Sequence, residues 1–426
     1  MNRVFLYIVS VLMATLMLGL AACPRASAGE LIKSDKQRDT APEVNESELA
    51  TLVDGNSAFA FNLYQQLRDK EGNLFYSPYS ISLALAMTYA GARGETEQQM
   101  ADALSFTLPQ NQLHPAFNAL ALELASRGEG ARGKDGDGFR LNIVNAIWGQ
   151  RDYEFLAEFL DRLAVNYGAG LRVLDFVGAP EESRVAINDW VAEQTEDRIE
   201  DLIPAGLINP NTRLVLTNAI YFNAAWLYPF EEDLTRDGAF YLLDGSKATV
   251  PMMHQTEAFG YAEGDGYQAV ELPYDGDELS MVILLPASGQ FETFEAALDA
   301  EQVEGIIGSL ENREVNLTMP KFEFDSSFSL KEALSALGMP IAFSDGADFS
   351  RMTGNRDLFI ADVVHKAFVS VDEAGTEAAA ASGVVMELTA MPETVEVTID
   401  RPFIFLIRDI ETGAILFVGR TLNPAA

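Results

Sequence analysis

Cysteine, histidine and positive charge are all scarce in this 426-residue chain. The single cysteine, Cys23, excludes an internal disulfide and any Cys-x-x-Cys redox or zinc motif. The three histidines, His114, His254 and His365, are far apart in sequence, so an imidazole metal site would have to gather distant segments; no metal and no cofactor is expected. Neither a Gly-x-Ser-x-Gly elbow nor a His-Glu-x-x-His pair occurs. With no local nucleophile–base pair either, a hydrolase on an unfamiliar fold has little support, and the chain does not read as an enzyme. The 29 basic residues face 64 acidic ones, a net charge of -35 that makes nucleic acid and other polyanions poor partners.

What is present is enough for a large core, since 48% of residues are hydrophobic and 26 are Phe. Residues 4–22 form an apolar run that ends in Leu20-Ala21-Ala22-Cys23, which resembles the bacterial lipobox. Residues 1–23 then read as a signal peptide, with Cys23 acylated and the protein exported as a membrane-anchored lipoprotein, periplasmic or on the cell surface. Ala26-Ser27-Ala28 offers an alternative cleavage site that would release a soluble secreted protein, and the run is also nearly long enough to remain as a membrane span. Membrane contact is otherwise expected only through the lipid.

Residues 24–49 are polar and without periodicity, as a tether would be. Helical spacing begins with Phe59, Leu63 and Leu67, and Ser77-Pro78 marks the start of a helix over 81–89, with Ser as cap and Pro in the first turn. Strands are expected over 139–148, 213–221, 268–272, 280–285, 314–319, 359–372 and 404–408. Helices over 154–166, 181–195 and 330–337 interrupt them, and no linker divides the chain after the tether. One α+β domain over 50–424 follows. The glycine-rich stretch Gly128-Glu129-Gly130-Ala131-Arg132-Gly133-Lys134 is not a phosphate cradle, because a helix precedes it and a strand follows, the reverse of what a helix-dipole site needs.

The unusual segment is Glu373-Ala374-Gly375-Thr376-Glu377-Ala378-Ala379-Ala380-Ala381-Ser382-Gly383. Four alanines after a Glu suggest a helix, yet Gly375-Thr376 and Ser382-Gly383-Val384-Val385 continue one badly. Read with period two, Thr376, Ala378, Ala380, Ser382, Val384 and Met386 share an uncharged face, while Glu377 and Glu387 fall on the other. Such a segment is usable both as an exposed loop and as a buried strand.

Residues 373–381 resemble the serpin hinge, and further matches stand in order along the chain. They are Asn73-Leu74-Phe75-Tyr76-Ser77-Pro78, Asn218-Ala219-Ile220-Tyr221-Phe222 with Trp226, Glu271-Leu272-Pro273-Tyr274, Met319-Pro320-Lys321-Phe322 and Val397-Thr398-Ile399-Asp400-Arg401-Pro402-Phe403. The resemblance implies about three β-sheets, eight or nine helices, and an exposed reactive-centre loop over about residues 373–396. It implies a monomer that traps a serine protease as a covalent acyl complex when the cut loop enters the main sheet. It also assigns Ser77, Ser80, Asn218 and His365 to a polar shutter, with Trp226 at the top of the sheet. Counting about seventeen residues from Glu373 puts the reactive bond at Thr389-Ala390; counting back from Pro402 puts it after Met391, and Leu388 also remains open. No Lys or Arg stands between Ala374 and Asp400, so elastase-, subtilisin- or chymotrypsin-like targets are expected over trypsin-like ones. A non-inhibitory member acting as a binding or chaperone-like module is the alternative.

Overall fold

The computed structural model describes residues 29–128, 131, 140–376 and 394–426. Cys23, hinge residues 377–382 and the reactive-bond candidates Leu388, Thr389, Ala390 and Met391 lie outside the described residues.

A short strand, β1 (Glu30–Ile32), precedes the first helix, α1 (Glu46–Leu67). That helix starts at a capping box: the Asn45 side chain accepts the Glu48 N–H at 2.9 Å, and the Glu48 carboxylate accepts the Asn45 N–H at 3.1 Å. Next come β2 (Leu74–Tyr76) and α2 (Pro78–Tyr89), whose start is the one expected. The Ser77 hydroxyl accepts the Ser80 N–H at 3.1 Å, and Pro78 occupies the first turn, where its missing N–H is not needed. The chain continues through α3 (Gly94–Ala103), α4 (Gln110–Ala125), β3 (Arg140–Gln150), α5 (Ala157–Tyr167), β4 (Leu171–Leu174), α6 (Pro180–Gln194) and β5 (Leu214–Ala225). A run of strands follows: β6 (Arg236–Tyr241), β7 (Lys247–Gly264), β8 (Tyr267–Pro273) and β9 (Leu279–Pro286). Two short helices, α7 (Phe291–Ala297) and α8 (Ala300–Gly308), lead to β10 (Glu311–Pro320) and β11 (Phe322–Ser329), then to α9 (Lys331–Ala336) and α10 (Ser350–Thr353). The last strands are β12 (Ile360–Asp372), β13 (Gly375–Thr376), β14 (Val395–Thr398), β15 (Phe403–Asp409) and β16 (Ile415–Thr421).

The α+β class is as expected, with two differences in count. Among the described residues there are ten α-helices, because short turns of helix such as α10 add to the long ones. The described strands form two hydrogen-bonded sheets where about three were expected. The reason is β7, 18 residues long: it pairs with β6 over residues 247–252, with β10 over 252–261 and with β8 over 260–264, joining two layers into one nine-stranded sheet.

The other sheet has seven strands in the order β1-β4-β3-β5-β13-β12-β11, with β5 also pairing directly with β12. Strand alternation divides its side chains between two cores. Leu214, Leu216, Ile220, Phe222 and Ala224 of β5 join Val363, Ala367, Val369 and Val371 of β12 in the main core, together with Ile81, Ala84 and Leu85 of α2. Val215, Ala219 and Val364 face the opposite way, against Ile187 and Val191 of α6.

The polar tether expected over 24–49 is, from residue 30 onward, part of the body. β1 extends the seven-stranded sheet by pairing antiparallel with β4. Beyond it Lys36 reaches Asp161 at 2.9 Å, and the Asp39 N–H donates to the Val165 carbonyl at 2.9 Å. These are polar contacts with α5, and polar contacts leave no hydrophobic rhythm for a sequence reading to detect.

Candidate functional site

The seven-stranded sheet is parted at one end. β5 and β12 run parallel and pair directly from Leu214 and Ile360 up to Ile220 and Ala367. Above that point β13 stands between them: Thr376 faces Ala224 on one side and Val371 on the other, and Gly375 faces Ala225 and Asp372. The hinge has thus begun a strand, antiparallel to both neighbours. Thr376 is 1% exposed and points into the main-core side, where its hydroxyl meets that of Tyr274 at 2.9 Å.

Backbone and side chains hold this first step in place. The Trp226 N–H donates to the Ala374 carbonyl at 2.8 Å and its indole N–H to the Asp372 carbonyl at 3.0 Å, while the ring stacks on Tyr274 with centroids 4.7 Å apart. Gly375 packs so tightly on β5 that a β-carbon there would sit 2.2 Å from the Ala224 carbonyl oxygen. Glu373 is buried, with one carboxylate oxygen 2.6 Å from Lys321 Nζ and the other accepting the Thr235 hydroxyl at 2.7 Å. Burial acts to raise its carboxyl, but the hydrogen bonds from Lys321 and Thr235 outweigh that and keep it below the usual carboxylate value.

Lower down, where β5 and β12 are still paired, Asn218 and His365 are register partners. His365 Nδ1 is hydrogen-bonded to the Asn218 side-chain oxygen, and its Nε2 accepts the Ser77 N–H at 3.3 Å. That backbone donor fixes the neutral tautomer, and complete burial pushes the imidazole down to about 3. Asn218 Nδ2 donates to the Ser80 hydroxyl at 2.6 Å and to the Asn145 side-chain oxygen at 2.5 Å; Asn145 Nδ2 donates to the Ser80 carbonyl at 3.1 Å. The structure therefore brings Ser77, Ser80, Asn218 and His365 into one cluster beneath the sheet, with Trp226 at the far end beside the hinge.

Four residues of this arrangement had no assigned role in the sequence reading: Lys321 and Thr235 on Glu373, Tyr274 on Thr376, and Asn145 in the cluster. Lys321 and Tyr274 stand inside matched motifs, so the signal was present. Asn145 and Thr235 carry no local signal, since their partners are 65 or more residues away.

Among the described residues the seven-stranded sheet is thus parted at one end by a two-residue strand that continues the chain of β12. The family profile described as Serpin (serine protease inhibitor) matches residues 54–424, and the chain belongs to that family. It is 42% identical to an uncharacterised serpin-like protein of Thermococcus kodakarensis, over 89% of this chain and 88% of that protein. It is equally 42% identical to the leukocyte elastase inhibitor of Sus scrofa, over 88% of this chain and 99% of that protein. Among solved structures it resembles native tengpin, a thermophilic serpin, with a TM-score of 0.80 and 28% identity over 92% of this chain and 97% of the other. Uncleaved ovalbumin gives a TM-score of 0.78 at 26% identity, over 88% and 100%. Membership of this family, with relatives named as inhibitors, supports protease inhibition in general rather than catalysis.

Proposed function

We propose that the chain is a suicide inhibitor of serine proteases, whose loop beyond Thr376 is cut by the protease and then enters the seven-stranded sheet while the acyl-enzyme is still attached. The observation that carries this reading is the seat of Thr376 between β5 and β12. Continuing its antiparallel register places Ala378 opposite Phe222 and Val369, and Ala380 opposite Ile220 and Ala367. Those four partners are at most 1% exposed, so the small alanine side chains are the kind that such a slot accepts. The next inward residue, Ser382, falls opposite Asn218 and His365, whose mutual hydrogen bond must break for the strand to pass. A serine there supplies a hydroxyl to the two groups it separates. Strand addition of this kind gains ladder hydrogen bonds as it proceeds, which gives the uncut state its stored free energy.

The target follows from the loop. With no Lys or Arg from residue 375 to 399, the reading is an enzyme with a small or apolar primary pocket, cutting at Thr389-Ala390 or within the neighbouring Leu388 and Met391 positions. The name of the leukocyte elastase inhibitor relatives supports the same class. Incubation with elastase, subtilisin, chymotrypsin and trypsin, read on a denaturing gel with mass spectrometry of the released C-terminal fragment, tests bond and mechanism together. A covalent complex with an elastase-like enzyme is the expected result. Cleavage without complex would make the protein a non-inhibitory member, and strong inhibition of trypsin alone would refute the specificity argument.

The same proposal places the inhibitor outside the cytoplasm, as a monomer held by a lipid on Cys23. It is supported by the apolar run over 4–22 and by the absence of any second cysteine for Cys23 to pair with. Labelling with a fatty-acid analogue, lost in Cys23→Ser, is the expected outcome; release of soluble protein starting after Ala28 would favour simple secretion.

A further inference from the structure

A cavity of about 310 Å³ lies between β3, α2, α4 and the end of α5, apart from the hinge. Its walls are largely apolar: Leu83 and Met87 of α2, Ala121 and Leu124 of α4, Leu141 and Ile143 of β3. Of the four polar residues that line it, Asn145 and Tyr167 are hydrogen-bonded to Asn218 and His114, which leaves Tyr79 and Arg38. Tyr79 is 1% exposed and its hydroxyl has no hydrogen-bond partner. Arg38, half-buried, reaches the cavity from the segment that follows β1.

The arginine is deliberately anchored yet unspent. Its Nε donates to Asn118 Oδ1 at 2.7 Å, Asn118 Nδ2 in turn donates to the Asp39 carbonyl at 2.7 Å, and the arginine stem packs against Gly168. Among the described residues its terminal nitrogens make no hydrogen bond and no ion pair. In a chain with 64 acidic residues, a cation partly desolvated beside an apolar cavity and without a carboxylate on it is unusual. Guanidinium groups bind carboxylates through parallel N–H donors, and small-molecule sites combine apolar walls with a few such groups in volumes of about 300–1,000 Å³.

We propose that this cavity is a binding site for a small amphipathic carboxylate, its apolar body between α2, α4 and β3 and its carboxylate received by the Arg38 guanidinium and the Tyr79 hydroxyl. The size of the cavity, at the low end of that range, selects a medium-chain fatty acid or a single-ring aryl acid over a long lipid. The site does not depend on the inhibitor reading and can be tested on the intact protein without any protease. Asn145, which lines the cavity, also accepts from Asn218 in the cluster under the sheet, so an occupant would touch the shutter.

The test is calorimetric titration of the full chain with octanoate, with octanol as a neutral match. Saturable one-to-one binding of octanoate in preference to octanol is expected, with a matching rise in melting temperature. Arg38→Gln should weaken octanoate by roughly tenfold or more while leaving octanol unchanged, as the loss of a charge-assisted pair requires. Ala121→Phe, which fills the cavity without removing a polar group, should abolish binding of both. If octanoate does not bind saturably, binds no better than octanol, or binds both variants as tightly as the parent, the proposal is wrong.

Discussion

Replacing Thr376 by arginine tests the central claim at the one inserted residue whose surroundings are fully defined. Thr376 is 1% exposed, lies between Ala224 and Val371 on the core side of the sheet, and has the Tyr274 hydroxyl as its polar neighbour at 2.9 Å. Among the described hinge residues the one carboxylate, Glu373, is already held by Lys321 and Thr235. A guanidinium seated at 376 would be desolvated and unpaired, a cost of several kcal/mol even after the side chain bends toward solvent. Taking about 4 kcal/mol of that into the barrier for insertion slows it roughly a thousandfold. Insertion competes with hydrolysis of the acyl-enzyme, so such a delay redirects nearly every encounter to hydrolysis. Thr376→Arg is therefore expected to be cut by an elastase-like protease as fast as the parent but to give almost no SDS-stable complex. Thr376→Val supplies the control: it keeps the shape, leaves the Tyr274 hydroxyl without its partner at a cost of about 1–3 kcal/mol, and should still form complex. A full yield of complex from Thr376→Arg would refute insertion through this slot.

Other perturbations follow from particular contacts. Gly375→Ala places a β-carbon 2.2 Å from the Ala224 carbonyl oxygen and should expel β13, lowering complex yield and shifting the fluorescence of Trp226; unchanged values for both would show that the hinge does not need this close approach. Arg420 is buried and donates to Glu295 and to the carbonyls of Lys70 and Gly72, so Arg420→Met should cost about 3–5 kcal/mol in urea unfolding. Removing Glu295 as well should restore part of that loss. His114 and His365 are both pushed down to about 3 by burial, so below the unfolded-state value near 6.5 the unfolded chain takes up protons that the folded one refuses. Their contribution is complete above about pH 6.5 and falls by up to about 1.4 kcal/mol per histidine for each unit of acidification toward pH 3. Unfolding midpoints measured from pH 8 to 5 should decline over the acid part of that range, less steeply in His114→Asn; a flat profile would show that the imidazoles are not held neutral.

The parts legible in the sequence were those with strong local chemistry. Ser77-Pro78 announced α2, and the alternation through 359–372 announced β12 almost to the residue. Small uncharged side chains at every second position marked the hinge, and Thr376 does face the core side. The strands not anticipated lacked that regularity: β7 carries Pro251 and Gly260 within it, and β1 is too short to show any period. β11 alternates perfectly between buried and exposed, but three consecutive polar residues, Asp325, Ser326 and Ser327, hide it from a hydrophobic pattern; Ser326 faces inward because its hydroxyl accepts the Phe75 N–H. Long-range pairs were illegible for a different reason. Nothing near Glu373 points to Lys321, 52 residues earlier, since an ion pair needs only proximity in space.

On the inhibitor proposal, the two ends of the parted sheet act against each other, one favouring entry of the loop and the other resisting it. At the top, the strand separation that insertion requires has already been made, and Thr376 has already been desolvated. The next inward position, Ala378, falls where β5 and β12 are already apart and adds a small apolar side chain and new ladder bonds, so that step is favourable. Resistance begins where β5 and β12 are directly paired, at Ile220 and Ala367, and rises at the next inward pair, Asn218 and His365. There a largely buried polar network, formed with Ser77, Ser80 and the half-buried Asn145, has to be broken before Ser382 can replace any of it. A satisfied buried network is costly to open part-way, because each severed group is left without water. On the inhibitor proposal, the barrier to insertion of the uncut loop thus lies at the shutter and not at the hinge, and cutting the loop removes the second tether that holds the strand back from crossing it.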